Sequence, residues 1–143
     1  MESDAYMRSP QDQELINAAR PFVRKMILSR HDFDAGGVAS AIRTVSGNIY
    51  TGVCIHLTCG IGFCAEHAAA AEMIKHGETQ IESIVAVSKD WILSPCGRCR
   101  EFLLQIDSRN ANAHVILPKG RKMLLRELMP MHWLTDHSWK PEW

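Results

Sequence analysis

Two short cysteine elements constrain this chain more than anything else in it. The first is Phe63-Cys64-Ala65-Glu66-His67; the second is Ser94-Pro95-Cys96-Gly97-Arg98-Cys99-Arg100. Each sits where the pattern turns helical. From Phe63 to His76 the chain is rich in alanine, at positions 65 and 68–71, and Gly77 ends the run. Alanine has the best helix propensity, and glycine is the usual residue just past a helix end. Ser94 has the chemistry of an N-cap and Pro95 that of a first helical position. Cys96 and Cys99, three apart, project from one face of such a helix, one turn from each other. Cys64 and Glu66, two apart, diverge in mid-helix and share one site only if it lies off the helix end. The fold must therefore bring two helix starts together, although 32 positions separate Cys64 from Cys96.

Three soft sulfur ligands suit one zinc ion and leave a fourth position for water. Glu66 is then a carboxylate placed to move protons beside that water. Three thiolates around a divalent ion leave a surplus negative charge. Two helix N-termini, each with about half a positive charge, offset it. Arg98, between the two later cysteines, is the best neutralising side chain, with Arg100 and His67 behind it. Taken singly, each cysteine reads as a small buried apolar residue. The chain holds five cysteines, an odd number that argues against a disulfide framework. Cys59 leaves a rival of another class open: a four-cysteine, zinc-stapled binding module without chemistry.

The remaining pattern sets the scaffold. Apolar residues make up 46% and charged residues 22% of 143 positions, which fits one globular domain spanning residues 1–143. Formal net charge is zero, so no basic surface grips a nucleic-acid polymer. No apolar run spans a bilayer and no signal peptide is visible, so a cytoplasmic protein without membrane attachment is expected. Residues 1–10 read as a flexible tail. An amphipathic helix follows over 11–29, kinked or split at Pro21. Residues 32–37 read as a loop. Strands are expected over 38–45 and 49–55, joined at Ser46-Gly47-Asn48 as a hairpin. Further strands fall over 81–88, 114–117 and 122–125, with 89–93 as a loop and the second cysteine helix reaching about Asp107. Strands separated by helices imply parallel pairs, so the fold class is α/β: a three-layer domain with a mixed five-stranded sheet and helices on both faces.

The sequence of motifs resembles the cytidine deaminase family. Cys-Ala-Glu at 64–66 is followed by Pro-Cys-x-x-Cys at 95–99, the pattern of the zinc deaminases. Val38-Ala39-Ser40-Ala41, Tyr50-Thr51-Gly52-Val53 and Glu127-Leu128-Met129-Pro130 fall in the family's order, so that roughly residues 12–133 are covered. The wording Leu93-Ser94-Pro95-Cys96-Gly97-Arg98-Cys99-Arg100 is nearest the blasticidin S deaminase branch. The resemblance implies a homotetramer with one zinc per subunit, held by Cys64, Cys96 and Cys99. It implies Glu66 as proton shuttle, and hydrolytic deamination by water at C4 of a small cytosine-type substrate, releasing ammonia. It also implies a C-terminal segment, 131–143 with Trp133, Trp139 and Trp143, that closes over a site.

The departures from the family fall on the substrate side. Nucleoside-specific relatives carry Asn-x-Glu after the Thr-Gly-x element and grip the ribose hydroxyls with them. Cys54 and His56 stand at those positions here and are the candidate substrate contacts. Neither reproduces the amide or the carboxylate. The arginine that often follows Cys-Ala-Glu is His67, which leaves the neutralising role to Arg98. The substrate is then cytidine, a blasticidin S-type antibiotic, or another amino-heterocycle.

Overall fold

In a computed structural model, which describes residues 6–135, the chain builds one mixed sheet between helices. Helix α1 runs Pro10–Ala19. Ser9 caps it by accepting from the Asp12 amide, and Pro10 opens it. A single 3-10 turn, Arg20–Phe22, follows at Pro21. The expected helix over 11–29 therefore ends ten residues early, because the proline ring cannot continue the ladder. Met26–Ile27 is instead a two-residue strand, β1, paired with Ala35 and Asp34.

Strand β2, Asp34–Thr44, is longer than expected and takes in residues read as a loop. The hairpin to β3, Ile49–His56, is present, and its register shifts between Ala35 and Ala39, across Gly36-Gly37. Helix α2 spans Ala65–Lys75, β4 Ile81–Val87, and α3 Gly97–Ile106. Strand β5, Ile92–Leu93, falls within the expected loop over 89–93, because a two-residue strand carries no alternation to detect. Strands β6, His114–Ile116, and β7, Lys122–Leu124, and the short helix α4, Leu125–Leu128, complete the fold.

Five main strands lie in the order β3-β2-β4-β6-β7, and β1 and β5 add to β2 and β4, so the sheet has seven strands where five were expected. Among the described residues, only β4 and β6 form a hydrogen-bonded parallel pair. The β3–α2–β4 crossover spans β2, which pairs antiparallel with both of its neighbours. Alternation along β2 and β4 divides the core. Ala39, Ala41, Val85 and Val87 face Leu15, Ile16 and Ala19 of α1. Ile42 and Ile84 face Ala69, Ala70 and Met73 of α2 and Leu103 and Leu104 of α3.

Two contacts set the site in place. The alanine-rich helix α2 lies so close to β3 that a Cβ on Gly52 would run into the Ala69 backbone and the Ala68 side chain. Asn110, fully buried, accepts from the Ile81 amide at 2.8 Å and donates to the Leu103 and Thr79 carbonyls at 2.9 and 3.0 Å. It ties the end of α3 to the start of β4. No described helix is long and apolar enough to cross a membrane.

Candidate metal centre

Both cysteine elements are helix starts, and at each the cap is a cysteine. Cys64 is the N-cap residue of α2, with φ −74° and ψ 159°. Cys96 is the N-cap of α3, with φ −68° and ψ 166°, and its Sγ accepts from the Cys99 amide at 3.5 Å. Ser94 and Pro95 thus precede the cap instead of forming it. The sulfur takes the place that a serine hydroxyl holds in an ordinary cap. As a result both thiols sit off the helix ends, where backbone N–H groups and partial positive charge converge.

The loop between β3 and α2 is folded back to make this possible. Ile55 and Phe63 exchange two backbone hydrogen bonds of 3.0 Å, which fixes the residue just before Cys64. A Cβ on Gly62 would strike the Ile55 carbonyl, so the close return depends on glycine there.

The sulfurs of Cys64, Cys96 and Cys99 all lie within 4.8 Å of one another. Cys64 and Cys96 are 3.6 Å apart, Cys96 and Cys99 3.4 Å. Zinc–sulfur bonds in a tetrahedral site place sulfurs about 3.8 Å apart. The cluster therefore fits zinc in both donor type and spacing. Cys59 is exposed and outside this group. The four-cysteine arrangement is not assembled by the fold.

Glu66 stands in the first turn of α2, 5% exposed, with Oε2 3.6 Å from the Cys99 sulfur. Burial raises its pKa, and its own backbone amide and the Cys99 thiol draw it partly back. Burial also pushes the Cys99 thiol well up, with the Glu66 charge adding to it, and raises Cys64. At Cys96 burial opposes ionisation, but hydrogen bonds from the Cys99 amide and the two neighbouring thiols outweigh it and lower the pKa. Of the three, Cys99 is buried, Cys64 half-buried and Cys96 exposed, so the cluster opens to solvent on the Cys96 side.

The cationic neighbours divide. Arg98 reaches the Gly62 carbonyl with Nη1 at 3.4 Å and lines the cavity beside Cys64. Its charge, after burial, is the second cause that lowers the His67 pKa. His67 stacks on Phe102 at 4.1 Å between centroids and places Nδ1 3.5 Å from the Cys99 sulfur. Arg100 turns away and donates to the Pro95 and Leu128 carbonyls at 2.8 and 3.0 Å, latching α4 to the start of α3.

A cavity of about 300 Å³ opens beside the cluster, lined by Ile55, His56, Leu57, Gly60, Gly62, Phe63, Cys64 and Arg98. His56 is in its wall, with Nδ1 3.3 Å from Asp34 Oδ1. Cys54 is not. It is 2% exposed, and its sulfur accepts from the Val38 amide at 3.3 Å. The alternation of β3 explains this: residues 54 and 56 share a face, but the strand ends at His56, so that only the last side chain reaches the loop. Asp34 was missed by sequence reasoning because it fell in an apparent loop. Its register opposite His56 becomes visible only once β2 and β3 are paired. Trp133 lies elsewhere, by Glu101, Gln105, Met131, His132 and Thr135. Trp139 and Trp143 lie outside the described residues, as does the first half of the expected N-terminal tail, residues 1–5. Within that tail, Arg8 is engaged by the Leu117 carbonyl at 3.1 Å.

No family model matches the sequence. The chain is 28% identical over 141 residues to a blasticidin-S deaminase of Bacillus cereus, an alignment covering 90% of this chain and 96% of the relative. A probable cytidine deaminase of Dictyostelium discoideum is 35% identical over 68 residues, 46% of each chain. The crystal structure of cytidine deaminase from Mycobacterium tuberculosis superposes with a TM-score of 0.73, over 87% of this chain and 98% of that one, at 24% identity. The chain resembles the cytidine deaminase family in sequence and fold. Its α/β architecture is the cytidine deaminase-like fold. Within that fold the cysteine caps and Glu66 meet at the starts of α2 and α3, and His56 stands in the cavity wall with its Nδ1 against Asp34.

Proposed function

We propose that this chain is a zinc-dependent hydrolytic deaminase acting on C4 of a cytosine ring, in a nucleoside or a cytosine-containing antibiotic, with release of ammonia. The observation that carries the reading is the meeting of three cysteine sulfurs and the buried Glu66 carboxylate at two converging helix ends. The names of the Bacillus cereus and Dictyostelium discoideum relatives support the two substrate types.

Cys64, Cys96 and Cys99 would hold the ion. Zinc bound there supplies Lewis acidity that makes water a nucleophile near neutral pH. Glu66 accepts a proton from the attacking water as the oxygen bonds to C4. It hands a proton on to the amino group, so that the C4–N bond breaks, ammonia leaves and a C4 carbonyl remains. Burial suits it to this exchange, because a carboxyl with a raised pKa gives up and regains a proton nearer neutrality. Arg98 offsets the charge of three thiolates. His67, held flat against Phe102, steadies the Cys99 sulfur from the other helix. His56 contacts the part of the substrate beyond the ring, and Cys54 shapes the wall behind it.

The whole of residues 1–143 acts as one deaminase domain in the cytoplasm, assembled as a homotetramer. The test is to offer cytidine, deoxycytidine and blasticidin S to the zinc-loaded protein and follow the cytosine absorbance. Loss of absorbance with at least one of them supports the reading. Stable absorbance with all three, at one zinc per chain, overturns it.

A further inference from the structure

The three cysteines are not held in the same way. Cys99 is fully buried in the first turn of α3. Cys64 follows Phe63, whose backbone is paired both ways with Ile55. Cys96 is exposed, and the chain reaches it from the two-residue strand β5 through the exposed Ser94 and then Pro95. A proline has no amide proton, so its carbonyl is the backbone group by which the approach to Cys96 can be held. Arg100 holds it. Its Nε donates to the Pro95 carbonyl at 2.8 Å, and its own amide donates to the Cys96 carbonyl at 3.1 Å. The carbonyls on either side of the Cys96 α-carbon are thus fixed by one residue, one turn into α3. The far end of the same guanidinium is anchored in the core. Nη1 donates to the Leu128 carbonyl at 3.0 Å. Leu128 ends α4, whose first residue, Leu125, is fully buried and donates its amide to the Ala113 carbonyl at 2.9 Å. A guanidinium presents these donors in one rigid plane, so the position of Leu128 constrains that of Pro95; an ammonium is a point donor and could not link the two.

Resting on the zinc reading above, we propose that Arg100 is a positioning residue of the metal centre: it carries the rigidity of α4 to the Cys96 cap and so holds the exposed sulfur in the triangle with Cys64 and Cys99. Its part is geometric, and the electrostatic one falls to Arg98. Without Arg100 the Pro95 carbonyl loses its partner, the cap backbone is free to turn, and the sulfur nearest to solvent leaves the triangle first. Cys64 and Cys99 keep their own supports. Groups that orient the ligands of a metal in this way are worth about 10–100-fold in its affinity.

The test is a double-mutant cycle on zinc affinity, read by competition with a chromophoric chelator and needing no turnover. Arg100→Ala should weaken zinc by about 10–100-fold in the wild-type background. In Cys96→Ser, where the thiolate it positions is already gone, the same change should cost less than about three-fold. Cobalt(II) in place of zinc gives a second readout, because its thiolate charge-transfer band counts bound sulfurs. In Arg100→Ala that band should fall by about one third, one thiolate of three, to the level of Cys96→Ser. Arg100→Lys, with a point donor for two separated carbonyls, should recover only part of the band, and it supplies both readouts if Arg100→Ala does not fold. Arg126→Ala, which removes the bond from α4 to Asn112 Oδ1, should leave the band at the wild-type level. Equal losses of affinity with and without the Cys96 thiol, or an undiminished band in the Arg100 variants, overturn the positioning role and leave the deaminase reading standing. The same loss of band in Arg126→Ala also overturns it, because α4 would then act without Arg100. Wild type that takes up neither zinc nor cobalt overturns both readings.

Discussion

The Glu66 carboxylate and the Cys99 sulfur lie 3.6 Å apart, on different helices, although 33 positions separate them in the chain. Neither could be there without the other helix. Glu66 is carried by the first turn of α2 and Cys99 by the first turn of α3. The relationship sets the proposed acid–base group against the proposed metal ligands, and removal of the carboxylate should separate chemistry from binding. Glu66→Gln keeps the shape of the side chain and loses the exchangeable proton. We expect zinc content and the unfolding transition to stay as in wild type while turnover falls by about 10²–10⁴-fold, the usual contribution of a positioned acid–base group. Retained turnover would remove the shuttle role.

Cys99→Ser tests the cluster itself. The buried sulfur closes the triangle with Cys96 at 3.4 Å, and an alcohol is a far poorer ligand for zinc than a thiolate. Zinc per chain after dialysis should fall well below one, and competition with a chromophoric chelator should show affinity lowered by orders of magnitude. Cys59→Ala should leave both quantities unchanged, because Cys59 lies outside the cluster.

The convergence of Cys64, Glu66, Cys96 and Cys99 was legible in the sequence, and its surroundings only in part. Cys64, Glu66, Cys96 and Cys99 stood out because few other arrangements use thiols and a carboxylate at helix starts. The main strands and helices followed from periodicity. What failed did so for local reasons. Met26 and Ile27 continue the apolar stripe of α1, so a helix seemed to run through them, but Pro21 had already ended it. Ile92–Leu93 and the first residues of β2 pair only because other strands offer edges to them. Cys54 and His56 looked equivalent as substrate contacts, and the end of β3 separates them into a buried and a cavity-lining residue.

Gly52 offers a test of how closely α2 must lie on the sheet. A methyl group there meets helix backbone, which cannot move aside as a flexible side chain would. Gly52→Ala should destabilise the fold by about 1–3 kcal/mol, as overpacking does. Because the displaced helix carries Cys64 and Glu66, zinc affinity should weaken as well. Denaturant unfolding and chelator competition read the two effects separately.

Acid stability should report a network on the far side of the hairpin. Glu78 accepts from the Tyr50 hydroxyl at 2.6 Å and from the Asn48 amide at 2.9 Å, and these bonds, Tyr50 first, hold its pKa at about 2, down from 4.5. A depressed folded pKa means stability that is present above the unfolded value and lost as pH falls through the folded one. Its contribution should therefore fade between pH 4.5 and about 2. In Tyr50→Phe that part of the acid limb should shrink. Urea midpoints of the two proteins, taken in chelator so that metal loss does not enter, should converge as pH falls through this window.

The measurement that bears most directly on the account is the ammonia released by purified, zinc-loaded protein from cytosine-ring compounds, read alongside the loss of cytosine absorbance. The account predicts one ammonia per ring converted for at least one of cytidine, deoxycytidine and blasticidin S, released about 10²–10⁴-fold more slowly by the Glu66→Gln protein. Absence of ammonia and of absorbance change with every compound, at full zinc occupancy, would contradict it.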